Sequence, residues 1–212
     1  NMDTTQQLLS GASGNAPTAT GITTAQSKQL ATFSSWGSSI DAQGGTGSVW
    51  RIYDGQSGPL LRSFLKPLTV SAGGSKTYDG VAVTGGGYTL SDAGADSSKI
   101  LGTAQVTGTV LGARNAGTYT QGVSGLYSGQ DGYDLNFVDG QFVINKRVLT
   151  ISATAASKEY DGKLTSSDKP TVLGRQRGDA IVGLTQSYLD KNAGTGKTIN
   201  VDAGFTIRDG NN

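Results

Sequence analysis

The stretch SKTYDG, residues 75–80, returns as SKEYDG at 157–162, with only Thr77 exchanged for Glu159. Each copy follows a short apolar run, LTV at 68–70 and LTI at 149–151, and each precedes an Asn-Ala-Gly, at 115–117 and 192–194. Tyr78 and Tyr160 are 82 positions apart and Asn115 and Asn192 are 77 apart, so the chain carries a repeat of about eighty residues with a small internal deletion. That exceeds the roughly 20 to 50 residues of a solenoid unit and suits a tandem array of small domains.

Composition points to strands and turns. Glycine contributes 33 of 212 residues, about twice the usual share of roughly 7%. Of the 16 acidic residues only Glu159 is a glutamate, and aspartate favours turns where glutamate favours helices. Apolar residues fall in short alternating groups, such as Leu101, Val106, Val110 and Phe137, Phe142, Ile144, separated by Gly, Asp, Asn and Ser. Recurring aromatic and β-branched positions argue against a disordered Gly/Ser/Thr-rich spacer. The expected fold class is all-β: an N-terminal β-rich cap followed by tandem small Ig-like β-sandwiches, the second truncated.

Three segments follow. Residues 1–65 form the cap and connector, holding Trp36 and Trp50 and one short helix at about 24–31 with Thr23 as its N-cap. ATFSSW (31–36) and SVWRIY (48–53) read as strands there, and Pro59 lies in the connector. Residues 66–145 form the first repeat, an antiparallel sandwich with strands at LTVSA (68–72), VAVT (81–84), 100–110, TYTQGV (118–123) and LNFVDGQFVI (135–144). Residues 146–212 are expected to form the second repeat, in which Asp209-Gly210 matches Asp131-Gly132 and the sequence given is expected to lack the last strand. Short linkers at Lys66 and Lys146 favour beads placed end to end.

The repeated phrase reads as a folding device. Asp79-Gly80 supplies a tight turn with positive φ at glycine, while Tyr78 buries a ring and keeps its hydroxyl near a polar edge; Tyr160, Asp161 and Gly162 are the matching turn residues of the second copy.

Charge and chemistry narrow the function. Lys and Arg total 17 against 16 acidic residues and are scattered, which is no footprint for nucleic acid. No apolar run approaches the roughly 18 to 20 residues of a membrane helix, and no signal sequence opens the chain, so membrane insertion is not expected and any export signal lies outside. Cysteine and histidine are absent, which removes disulfides, zinc ribbons, thiol nucleophiles and the commonest general base. Gly85-Gly86-Gly87 lacks the Lys-Ser/Thr of a phosphate loop and reads as a loop or hairpin. Asp131, Asp134 and Asp139 cluster locally, but their spacing matches no EF-hand and turn formation accounts for them, so no metal and no cofactor is expected. No spacing selects a carboxylate pair for glycoside cleavage, and the chain is expected not to be an enzyme. Trp36, Trp50 and Tyr53 are the candidate glycan contacts, as an aromatic platform for sugar rings, with a place in the core of the cap as the competing reading.

The paired phrases LTV…SKTYDG…NAGTYT…YDLNFVDGQFVINKR and LTI…SKEYDG…KNAGTGKTINV resemble the YDG-type bacterial Ig-like repeats, also called MBG domains. GITTAQSKQLATFSSW…VWRIYDGQSGPLLRSFL is similar to the segment that precedes such repeats in exoproteins of the filamentous-haemagglutinin type, exported by two-partner secretion. The resemblance implies a secreted bacterial surface or biofilm-matrix adhesin, located at the cell surface or in the extracellular matrix, with the cap as the end of a β-helical shaft. Its implied partners are exopolysaccharide or host and bacterial surface glycans. The alternative is a structural stalk that extends an adhesive region placed elsewhere.

Overall fold

The computed structural model describes residues 21–209; the first twenty positions of the cap and Gly210 of the second Asp-Gly pair lie outside them. The described chain is all-β, with strands interrupted by short 3-10 turns, and none of its helices is long and apolar enough to cross a membrane. By contacts it divides into two compact units: residues up to Gly74 with 85–108 and 120–141, and residues 75–84 with 109–119 and 142 onward.

In the first unit, Thr23 and Gln26 exchange reciprocal bonds, Thr23 N to Gln26 Oε1 at 2.8 Å and Gln26 N to Thr23 Oγ1 at 3.2 Å, in the manner of a capping box. The expected helix at 24–31 does not propagate. It gives a single 3-10 turn, Gln26–Lys28, because other groups take its carbonyls: Thr32 Oγ1 bonds Gln26 O at 2.7 Å and Gly55 N bonds Lys28 O at 2.7 Å. Residues 31–36, expected as a strand, lie in the 3-10 segment Leu30–Ser39, which is broken at Phe33 and at Gly37, where φ is +54°.

Three short strands follow: β1 (Ile40–Asp41), β2 (Trp50–Arg51) and β3 (Leu60–Leu61), with β2 central, parallel to β1 and antiparallel to β3. Only two residues of SVWRIY enter the ladder. Arg51, Ile52 and Tyr53 are buried in succession, which an alternating strand does not permit.

The main core rests on β4 (Lys66–Ala72), whose Leu68, Val70 and Ala72 are buried at period two. After β5 (Gly74–Thr77), β6 (Tyr88–Leu90) pairs antiparallel with β4, and β7 (Leu101–Thr107) pairs antiparallel with the 122–127 part of β8 (Gly117–Tyr127). β9 (Tyr133–Val138) joins the other edge of β4 in parallel, from Lys66↔Tyr133 to Ser71↔Val138. The expectation of an all-antiparallel arrangement is therefore corrected. β9 enters the sheet after the chain has passed through β7 and β8, so its direction follows from the return path rather than from a hairpin. Leu68, Val70, Val123, Leu126, Tyr133, Leu135 and Tyr53 form one cluster.

In the second unit, β5 lies beside β10 (Gly140–Asn145), whose Phe142 and Ile144 are buried. VAVT forms no strand. Val83 is buried and Val81 exposed, and in place of a ladder Val83 N donates to Ala113 O at 2.9 Å and Gly112 N to Val83 O at 2.8 Å, while Val81 bonds to side chains of the preceding turn. The rest is three two-stranded antiparallel pairs: β11 (Thr150–Ser152) with β12 (Thr171–Leu173), β13 (Ala180–Val182) with β16 (Thr206–Arg208), and β14 (Gln186–Tyr188) with β15 (Ile199–Val201). Buried Gln186 of β14 is tied to the segment just after β11, accepting from Thr154 N at 2.8 Å and donating to Thr154 O at 2.9 Å.

Candidate functional site

The hexapeptide turns have the same internal construction. In the first, Lys76 Nζ lies 2.8 Å from Asp79 Oδ1 and donates to Val81 O at 2.6 Å, while Val81 N donates to Asp79 Oδ1 at 2.9 Å. In the second, Lys158 Nζ lies 2.8 Å from Asp161 Oδ1 and reaches Lys163 O at 2.7 Å, while Lys163 N donates to Asp161 Oδ1 at 2.9 Å. Glycine closes each turn at φ +71° (Gly80) and +68° (Gly162), a region where a side chain is strained. The bond from the lysine, then the backbone N–H two residues on, holds Asp79 and Asp161 below the usual carboxylate range.

The lysine of this clasp escapes a reading based on Tyr-Asp-Gly alone. Its signal is the spacing: Lys and Asp three residues apart, followed by Gly, in both copies.

The tyrosines diverge. Tyr78 is buried and its hydroxyl donates to Asp179 Oδ1 at 2.8 Å, whereas Tyr160 is 69% exposed. Asp179 has no counterpart in the motif, so sequence reasoning does not find it.

The three cap aromatics do not act together. Trp36 is 38% exposed and packs against Trp50 at 5.5 Å and against Phe33 at 5.0 Å between ring centroids. Trp50 and Phe33 are half-buried. Tyr53 stands in the core instead: its hydroxyl donates to Tyr133 O at 2.6 Å and accepts from Leu135 N at 2.9 Å. Burial pushes this hydroxyl above the ordinary tyrosine range, and the Arg51 guanidinium lies over the ring at 4.1 Å.

The acidic cluster is likewise divided. Asp134 is buried between Arg51, whose Nε is 3.2 Å away, and Arg62, which donates to Oδ2; Gly45 N also donates to Oδ2, at 3.1 Å. Burial lowers the Arg51 pKa, opposed by Tyr53 and Asp134. Asp131 stays at the surface. Among the described residues, no group of three acidic side chains is placed to hold a metal ion. The Gly85–Gly87 loop lies against buried Gln121, whose Nε2 donates to Gly87 O at 2.5 Å, and a Cβ at Gly86 would stand 2.3 Å from its Oε1.

No curated protein and no solved structure matches the chain. The family described as the YDG domain matches residues 145–212, the second of the two repeats.

Proposed function

We propose that this chain is a non-catalytic segment of a secreted bacterial surface or biofilm-matrix adhesin. It contributes adhesion to exopolysaccharide or cell-surface glycans through the aromatic side chains of the N-terminal region. The observation that carries this reading is the Trp36–Trp50 pair. Trp36 leaves 38% of its surface in water although the Phe33 and Trp50 rings pack against it. An indole held by neighbouring rings loses little entropy on binding and offers a flat apolar face to the C–H face of a sugar.

A screen of exopolysaccharides and surface glycans against the full chain tests the proposal, with Trp36→Ala and Trp50→Ala checked for folding by circular dichroism. Saturable binding lost in a folded tryptophan variant supports it. Binding that survives both substitutions places the contact elsewhere, and shortening of the polysaccharide would make the chain an enzyme. A second reading, a stalk that binds nothing, draws on the Tyr78–Asp179 bond, which fastens the 176–179 loop onto the first YDG turn. Absence of binding across the screen favours that reading.

A further inference from the structure

The two YDG turns have the same shape and are covered differently. Over the first lies the loop 174–179: besides the Tyr78–Asp179 bond, a Cβ added at Gly80 would find Arg177 O at 3.4 Å and Gln176 Cβ at 3.9 Å. At Gly162 the same added atom would meet only the hydroxyl of Tyr160, at 3.9 Å. The Tyr78 hydroxyl stands 3.8 Å from the corresponding point at Gly80, so both tyrosines hold nearly the same position over their turns. A cleft of about 350 Å³ opens beside Tyr160, between the turn 160–163 and the Asn192–Gly194 segment.

The loop that fills the first position is braced from within. Asp179 Oδ2 accepts from Gln176 N at 3.0 Å, Asp179 N donates to Gln176 O at 3.2 Å, and Gln176 Nε2 donates to Gly174 O at 3.0 Å. One carboxylate oxygen serves the loop and the other meets the tyrosine. A loop with this bracing needs little ordering when it docks.

We propose that the cleft beside Tyr160 is a docking site for an aspartate-bearing loop of the Gly174–Asp179 type, presented by another YDG repeat, whose carboxylate accepts the hydrogen bond of the Tyr160 hydroxyl. The reason is the conserved geometry of the receptor within one chain. The Lys-Asp clasp fixes the turn, glycine leaves its outer surface free of a side chain, and the tyrosine stands over it with its donor free to meet an anion. In the first copy those features already hold such a loop. The inference does not depend on glycan binding by Trp36 and Trp50.

The test is a titration of the ¹⁵N-labelled full chain with a head-to-tail cyclised peptide carrying the sequence 173–180. The expected result is saturable shifts confined to residues 160–163 and 192–194. Replacing the peptide aspartate by asparagine, or Tyr160→Phe in the chain, should weaken binding by about tenfold or more, the scale of a charge-assisted hydrogen bond. Tyr160 is exposed, so Tyr160→Phe leaves the fold intact, and Tyr78→Phe should leave affinity at the cleft unchanged. Shifts that are absent, centred on another surface, or equal for the asparagine peptide would overturn the proposal. So would equal shifts from acetate at the same concentration, which would make the cleft a general anion site.

Discussion

Arg51 Nε faces Asp134 Oδ1 at 3.2 Å with both side chains almost wholly buried. Arg62 reaches the other oxygen of the same carboxylate, so one acidic group on β9 is shared between two arginines from the N-terminal segment. Removing one partner from such a group leaves buried charge uncompensated. Asp134→Ala should therefore cost about 3–5 kcal/mol of unfolding free energy in urea denaturation. Asp131→Ala, three residues earlier and at the surface, should stay within about 0.5 kcal/mol. Equal effects at the two positions would mean that the arginine contacts do not hold the segment.

Tyr53→Phe should cost about 1–3 kcal/mol, because the Tyr53 hydroxyl is both donor to Tyr133 O and acceptor from Leu135 N, and the Leu135 amide has no water to turn to. Tyr119→Phe removes a single exposed bond, to Asn115 O, and should cost less. Thermal unfolding of the two variants side by side checks the ordering.

These two sites also mark how far the sequence could be read. The alternation in LTVSA and QFVI identifies Leu68, Val70, Phe142 and Ile144 as inward-facing, because period two is a local property of a strand. The parallel pairing of β4 with β9 joins segments more than sixty residues apart, and nothing in either strand names its partner. VAVT has the right alternation but no neighbouring strand. Tyr53 and Trp36 look alike as large aromatics, and only the position of Tyr133 and Leu135 makes one a core residue and leaves the other half in water. The same holds for Tyr78 and Tyr160, which share a motif and differ in what covers them.

Gly44 sits under β9 so closely that an added Cβ would stand 2.0 Å from Leu135 O and 2.5 Å from the Asn136 Cα. Backbone cannot yield there as a flexible side chain could, so Gly44→Ala should destabilise by about 1–3 kcal/mol. At Gly47 an added Cβ meets nothing within 4 Å, and Gly47→Ala should be neutral within about 0.5 kcal/mol. A pair of urea midpoints decides this, and equal midpoints would mean that the 44–47 loop is not seated against β9.

Acid should weaken the YDG turns by a definite route. Asp79 and Asp161 are held below the usual carboxylate range by Lys76 and Lys158, with help from the Val81 and Lys163 amides. Asp190 is depressed in the same way, by Lys197 and then by the Asn192 amide. A depressed folded-state pKa means that the unfolded chain binds protons first as pH falls, so unfolding gains on acidification. The stabilisation is complete above the unfolded aspartate pKa of about 3.9 and disappears as pH falls through the lower folded values. The melting temperature should therefore be level from about pH 5.5 to 7.5 with respect to these groups and decline below about pH 4. Asp79→Asn with Asp161→Asn should lower the plateau and flatten the acid decline, since two of the groups that couple folding to protons are gone. All three pairs are exposed, so added salt should reduce the plateau contribution. A double variant whose acid decline is as steep as that of the parent would show that the Lys-Asp clasps do not set the acid response.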